Sequence, residues 1–200
     1  MPPMPRRDLL KHSARLALAA AVAPASRTAW AQVSNARSGI ELTALYAQQS
    51  DEGVLLLSYA VRFELSREVE QALSRGVAVV FVAQAELLRS RWYWMDQSRA
   101  LATRRWRLGY QPLTRQWRLN VDGLSRHFAQ LNEALDVVRK GTRWRIADAV
   151  APGEEADHHI EFSFKLDTDE LPRPLQIGLG TPTGWDLSVQ RRIQLAPISR

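Results

Sequence analysis

The chain has 200 residues, with 27 basic and 21 acidic side chains, a formal net charge of +6, seven tryptophans and no cysteine. The lack of cysteine excludes a disulfide framework, a thiolate metal site and a lipoprotein attachment site. Five bases (Arg6, Arg7, Lys11, Arg15, Arg27) and one acid (Asp8) fall in the first 31 residues, leaving 22 bases against 20 acids beyond them. So small an excess is no footprint of nucleic-acid binding.

Residues 1–31 have the three parts of a cleavable signal peptide. Arg6, Arg7 and Lys11 make a positive start, Leu16 to Val22 is a short apolar run, and Ala29-Trp30-Ala31 offers small residues at a cleavage site. The run is far shorter than the roughly 20 residues a membrane-spanning helix needs. Arg6-Arg7-Asp8-Leu9-Leu10-Lys11 resembles the twin-arginine signal, and an ordinary Sec signal carrying paired arginines is the alternative. The expectation is a periplasmic chain with no transmembrane span, and residues 32–200 forming a single mainly-β domain.

Alternation of apolar and polar residues runs through that domain, the mark of half-buried strands. Ile40 to Gln48 and Val54 to Leu65 read as a hairpin, the second strand turning Leu55, Leu57, Tyr59, Val61, Phe63 and Leu65 to one face. Ser66 caps a short helix with Val69, Ala72 and Leu73 inside, closed by Gly76. Val77 to Trp94 reads as one long strand covered on both faces. Ala102 to Tyr110 and Leu113 to Val121 follow, joined tightly through Gln111-Pro112.

Leu124, Phe128, Leu131, Leu135 and Val138 lie at one helical stripe's spacing, predicting a second helix from about Gly123 to Lys140, stopped by Gly141. Strands at Arg143 to Ala149, His159 to Asp167, Leu175 to Leu179 and Trp185 to Leu195 complete the chain. The fold class is mainly β (α+β): an antiparallel sheet or β-sandwich with two packed helices.

Four ordered motifs carry a family likeness: Glu70-Gln71-Ala72-Leu73-Ser74-Arg75-Gly76, Arg91-Trp92-Tyr93-Trp94, Leu108 to Trp117, and Leu171-Pro172-Arg173-Pro174-Leu175-Gln176. Together they resemble the proteobacterial family labelled domain of unknown function 4390, over nearly all of residues 32–200. Trp117 and Gly109 depart from the tyrosine and serine expected there. The resemblance implies an exported protein without an assigned activity, often encoded beside a membrane sensor histidine kinase. It supplies no catalytic residue.

The densest chemistry is the stretch from Arg89 to Arg118, with eight arginines against one acid, Asp96, and four of the seven tryptophans. Arginine offers planar donors to carboxylates and phosphates, and tryptophan stacks on guanidinium or sugar. Arg89, Arg91, Trp92, Trp94, Arg104, Arg105, Arg107, Arg115 and Arg118 therefore form a candidate binding surface. The competing reading places the tryptophans in the core and leaves the arginines merely solvated on the opposite pleat. Arg115, sharing a strand face with Trp117 and Leu119, fits that second reading poorly. Reversing Arg104, Arg105 and Arg107 to glutamate is expected to remove a partner at unchanged melting temperature.

Other constellations are weaker. Adjacent His158 and His159 point to opposite faces, and His159 with Glu161 gives too few ligands for zinc, so they read as exposed strand polar residues. His127 is placed on the second helix. No Gly-x-Ser-x-Gly elbow occurs, Asp167, Asp169 and Glu170 read as a turn, and Gly178-Leu179-Gly180 precedes no helix. Leu171-Pro172-Arg173-Pro174-Leu175 reads as a sheet-edge guard or a docking ridge. No catalytic, cofactor-binding or metal-ligating residue is assigned. The expected function is a non-catalytic partner of a membrane or envelope protein or other macromolecule, a sensor kinase among them. A cell-wall-active hydrolase or glycan-binding protein is the alternative.

Overall fold

The first hairpin forms as its alternation requires. Strands β1 (Ile40–Gln49) and β2 (Val54–Phe63) pair antiparallel, and Leu55, Leu57, Tyr59, Val61 and Phe63 are all buried. The Ser50 carbonyl accepts from Gly53 N at 2.8 Å, and Gly53 takes φ 83°, a left-handed conformation that glycine adopts without a Cβ clash. The computed structural model describes residues 39–50, 52–93, 95–150, 157–171 and 185–195, all within one compact unit, Asn35–Arg200. The leader, Trp94, the expected strand at Leu175 to Leu179 and the glycines after it lie outside the described residues. So does the proline pair of the expected ridge.

Helix α1 (Arg67–Ser74) is capped as predicted, Ser66 Oγ accepting from Val69 N at 3.3 Å. It buries Val69, Ala72 and Leu73. Strand β3 (Val79–Arg89) follows and pairs with β4 (Gln97–Gln111). The long strand expected to reach Trp94 thus ends at Arg89, where the chain leaves the ladder to form a hairpin tip, Ser90 to Asp96.

Strand β5 spans Gln116–Val121. Leu113, fully exposed, and Arg115, at φ 54°, belong to the turn before it, so Arg115 shares no strand face with Trp117. The helix expected from Gly123 is a strand for its first third. Asp122 (φ 48°) and Gly123 (φ 83°) are both left-handed, as a two-residue hairpin turn requires, and β6 (Leu124–Phe128) folds back on β5.

A spacing of four residues shares a face in a helix and in a strand alike, so Leu124 and Phe128 fitted both periods. Asp-Gly was the discriminating signal. Helix α2 (Leu131–Arg139) keeps the other half of the stripe, burying Ala134, Leu135 and Val138. The Gln130 N–H donates to Glu133 Oε2 at 3.3 Å at its start. His127 therefore lies on an exposed strand, not a helix.

Strand β7 (Lys140–Ala149) leaves α2 directly, with Gly141 opposite Tyr59 rather than acting as a helix stop. Strands β8 (His158–Asp167) and β9 (Ser188–Gln194) complete the chain. All pairings are antiparallel, in a sheet ordered β1-β2-β7 and a larger one ordered β6-β5-β4-β3-β8-β9.

Aromatic side chains join the two sheets. Tyr59 meets Phe162 at 4.9 Å between centroids, and Phe63 meets Phe81 at 5.5 Å and Phe164 at 5.8 Å. Both helices add their buried stripes to this core. The architecture is a mainly-β, α+β sandwich, as the alternation requires.

Candidate binding surface

The pleat of β4 divides the arginines. Ala102, Arg104, Trp106 and Leu108 face the core side, whereas Arg105 and Arg107 face outward. Arg104 sits at the margin of the sandwich, its guanidinium 5.2 Å from the Trp144 ring centroid and its Nε 3.6 Å from Asp122 Oδ2. The Arg104, Arg105 and Arg107 triple is therefore not one surface.

On the outer face, register decides the pairing. Arg107 and Asp167 flank Val80, and Arg105 and Lys165 flank Val82. Arg105 Nη2 donates to Asp167 Oδ2 at 3.0 Å, and its Nη1 lies 3.2 Å from Glu170 Oε1. Arg107 Nη2 donates to Glu170 Oε2 at 2.5 Å. Val80 and Val82, between these flanking side chains on the outward pleat, are buried.

Asp167 and Glu170 thus hold the two arginines instead of forming a bare turn. Arg118 is bonded to Asn120 on its own strand and to Ser125 on β6, and Arg115 lies in the turn before β5. These residues make separate surfaces, several already matched by the chain's own acceptors.

What remains together is the β3–β4 tip. Trp92 is 94% exposed, Tyr93 67% and Met95 81%, and the Trp92 and Tyr93 rings meet edge to face at 4.9 Å. With these two aromatic residues, Arg89, Ser90, Arg91, Gln97, Arg99 and Asp157 line an open cleft of about 660 Å³. Arg91 Nη2 bonds Gln97 Oε1 across the base of the hairpin, and Arg89 Nη2 lies 3.8 Å from Asp157 Oδ2. Arg99 is exposed.

The tip is anchored from below. His159 is fully buried and His158 nearly so, correcting the expectation of exposed polar residues. Ser90 Oγ lies 3.1 Å from His159 Nδ1, and Ser90 N donates to Asp157 O at 2.8 Å. On the other ring side, Asp96 Oδ2 is 3.4 Å from His159 Nε2 and 4.0 Å from Arg192 Nη2, although none of the described residues makes an aligned hydrogen bond to that Nε2. One imidazole thus touches both ends of the loop.

Ser90, Tyr93, Met95, Asp96, Arg99 and His159 were all missed as site residues in the sequence. Large apolar residues at Trp92, Tyr93 and Met95, between two strand-like runs, were the available signal. Among the described residues, no three potential metal ligands gather, and no helix is long and apolar enough to cross a membrane. The family model described as domain of unknown function (DUF4390) matches residues 37–194. No curated protein and no solved structure matches the chain.

Proposed function

We propose that this chain, which belongs to the DUF4390 family, is a non-catalytic binding or regulatory partner of a membrane or envelope macromolecule, a sensor kinase among the candidates. The β3–β4 tip is the contact. One observation carries the reading: three large apolar side chains project from a hairpin whose base is tied down by Ser90, Asp96 and His159, with arginines around them. Exposed aromatic groups on a fixed support lose little side-chain freedom when they bind.

A photo-crosslinking residue replacing Trp92 in intact cells tests this. Capture of a membrane or envelope component is expected, and its loss in Arg91→Glu/Arg99→Glu. Capture that is identical from an exposed position on β1, or none at all, overturns the reading.

A second reading, a cell-wall-active hydrolase or glycan-binding protein, draws on Ser90 bordering the cleft with its hydroxyl on His159 and Asp96 behind that ring. It predicts fragments released from purified sacculi by the wild type and none by Ser90→Ala. No release and no co-sedimentation with sacculi would remove it.

A further inference from the structure

We infer that the β3–β4 tip is an interfacial anchor for an anionic lipid bilayer, with Trp92, Tyr93 and Met95 entering the headgroup layer and Arg91 and Arg99 meeting lipid phosphates. The inference deepens the binding role proposed above and rests on it. Tryptophan and tyrosine, with an apolar body and a polar edge, favour the boundary between hydrocarbon and water. Here both rings and the methionine project into solvent, where apolar area stays in contact with water.

Charge points the same way. The carboxylate within the tip, Asp96, lies toward His159 and Arg192 beneath the loop. Asp157, just before β8, lies opposite Arg89. The cations nearest the exposed rings are then left facing outward. Arg91 bonds a neutral glutamine, and among the described residues Arg99 makes no ion pair. A tip that is exposed, aromatic and positively collared matches a deformable anionic surface, which can follow its shape without a complementary pocket. The Ser90, Asp96 and His159 contacts hold that shape before binding, so less loop order must be gained at the surface.

The test is sedimentation of the full chain with phosphatidylglycerol–phosphatidylcholine vesicles and with pure phosphatidylcholine vesicles, across a salt series. Binding to the anionic vesicles, weakened by salt, is expected, with a blue shift of tryptophan emission. Each arginine near an anionic surface strengthens binding about fivefold, so Arg91→Glu/Arg99→Glu should weaken it by about 25-fold or more. Trp92→Ala, at a fully solvated position, should remove the blue shift without changing the melting curve.

Equal binding to neutral vesicles, or anionic binding that ignores these variants, overturns the inference. Absence of vesicle binding while the Trp92 crosslink still captures a protein also overturns it, yet leaves the proposed function standing. Loss of both signals ends both.

Discussion

Gly141 occupies a position where a single methyl group should be felt throughout the core. Its backbone is an ordinary strand, but a Cβ built there would lie 2.2 Å from Tyr59 Cε1, 2.8 Å from Cδ1 and 2.9 Å from Cζ. Carbon atoms rest at about 3.5–4.0 Å, so the ring must retreat by more than about 1 Å. It has little room, since Tyr59 is buried with Phe162 4.9 Å and Phe164 6.3 Å from its centroid.

Overpacking of this kind costs about 1–3 kcal/mol, and the upper part of that range applies where three ring atoms are met at once. For a domain of this size, 2–3 kcal/mol lowers the melting temperature by about 4–12 °C. Thermal melts of Gly141→Ala followed by circular dichroism measure it. The same change placed on Tyr59→Leu should be much milder, because the clashing atoms are gone, so the double mutant should lose less stability than the two single changes summed. An unchanged melt for Gly141→Ala, or equal penalties in both backgrounds, would refute the steric argument.

Gly123 makes the opposite case: a Cβ there meets nothing within 4 Å, but φ is 83°, so Gly123→Ala should cost about 1–2 kcal/mol through backbone strain alone, read from the same melts. Burial pushes the Tyr59 hydroxyl well above the ordinary 10.0, with nearby Arg104 opposing in part. Above that ordinary value the unfolded chain releases the proton while the folded chain keeps it, so stability should fall as pH rises past about 10, and less so in Tyr59→Phe. Arg105→Ala should destabilise by about 1–3 kcal/mol in urea titrations, because buried Asp167 Oδ2 loses its arginine while Oδ1 keeps the Asp169 N–H, whereas Asp167→Asn leaves a half-exposed guanidinium that water can solvate and should cost less. For that reason, reversing Arg104, Arg105 and Arg107 together should lower the melting temperature rather than leave it unchanged. Finally, His159→Phe removes the imidazole between Ser90 and Asp96, so trypsin should cleave faster at Arg91 and Arg99 without global unfolding.

Much of the sandwich was legible because strand periodicity is a local property. The buried face of β2, the Ser66 cap of α1 and the inward row Ile160, Phe162, Phe164 and Leu166 of β8 follow from alternation and capping chemistry. Residues 124 to 128 were misread where two periods coincide and only the Asp-Gly turn separates them. The candidate site was legible in part. Arg89, Arg91 and Trp92 do sit together, while Arg104, Arg105, Arg107, Arg115 and Arg118 part company, because alternate residues and turns send them to different surfaces.

By itself, the order of residues determined an antiparallel β architecture, which side of most strands is buried, and an unusual richness in arginine and tryptophan. The tertiary structure decided which charges meet and which aromatic groups stay in water. Arg105 finds Asp167 across 62 positions of chain because β3 lies between β4 and β8. His159 is buried because a loop from elsewhere in the sequence closes over it. Such outcomes depend on the register between distant strands, and the short-range pattern that makes each strand carries no information about which partner will lie beside it.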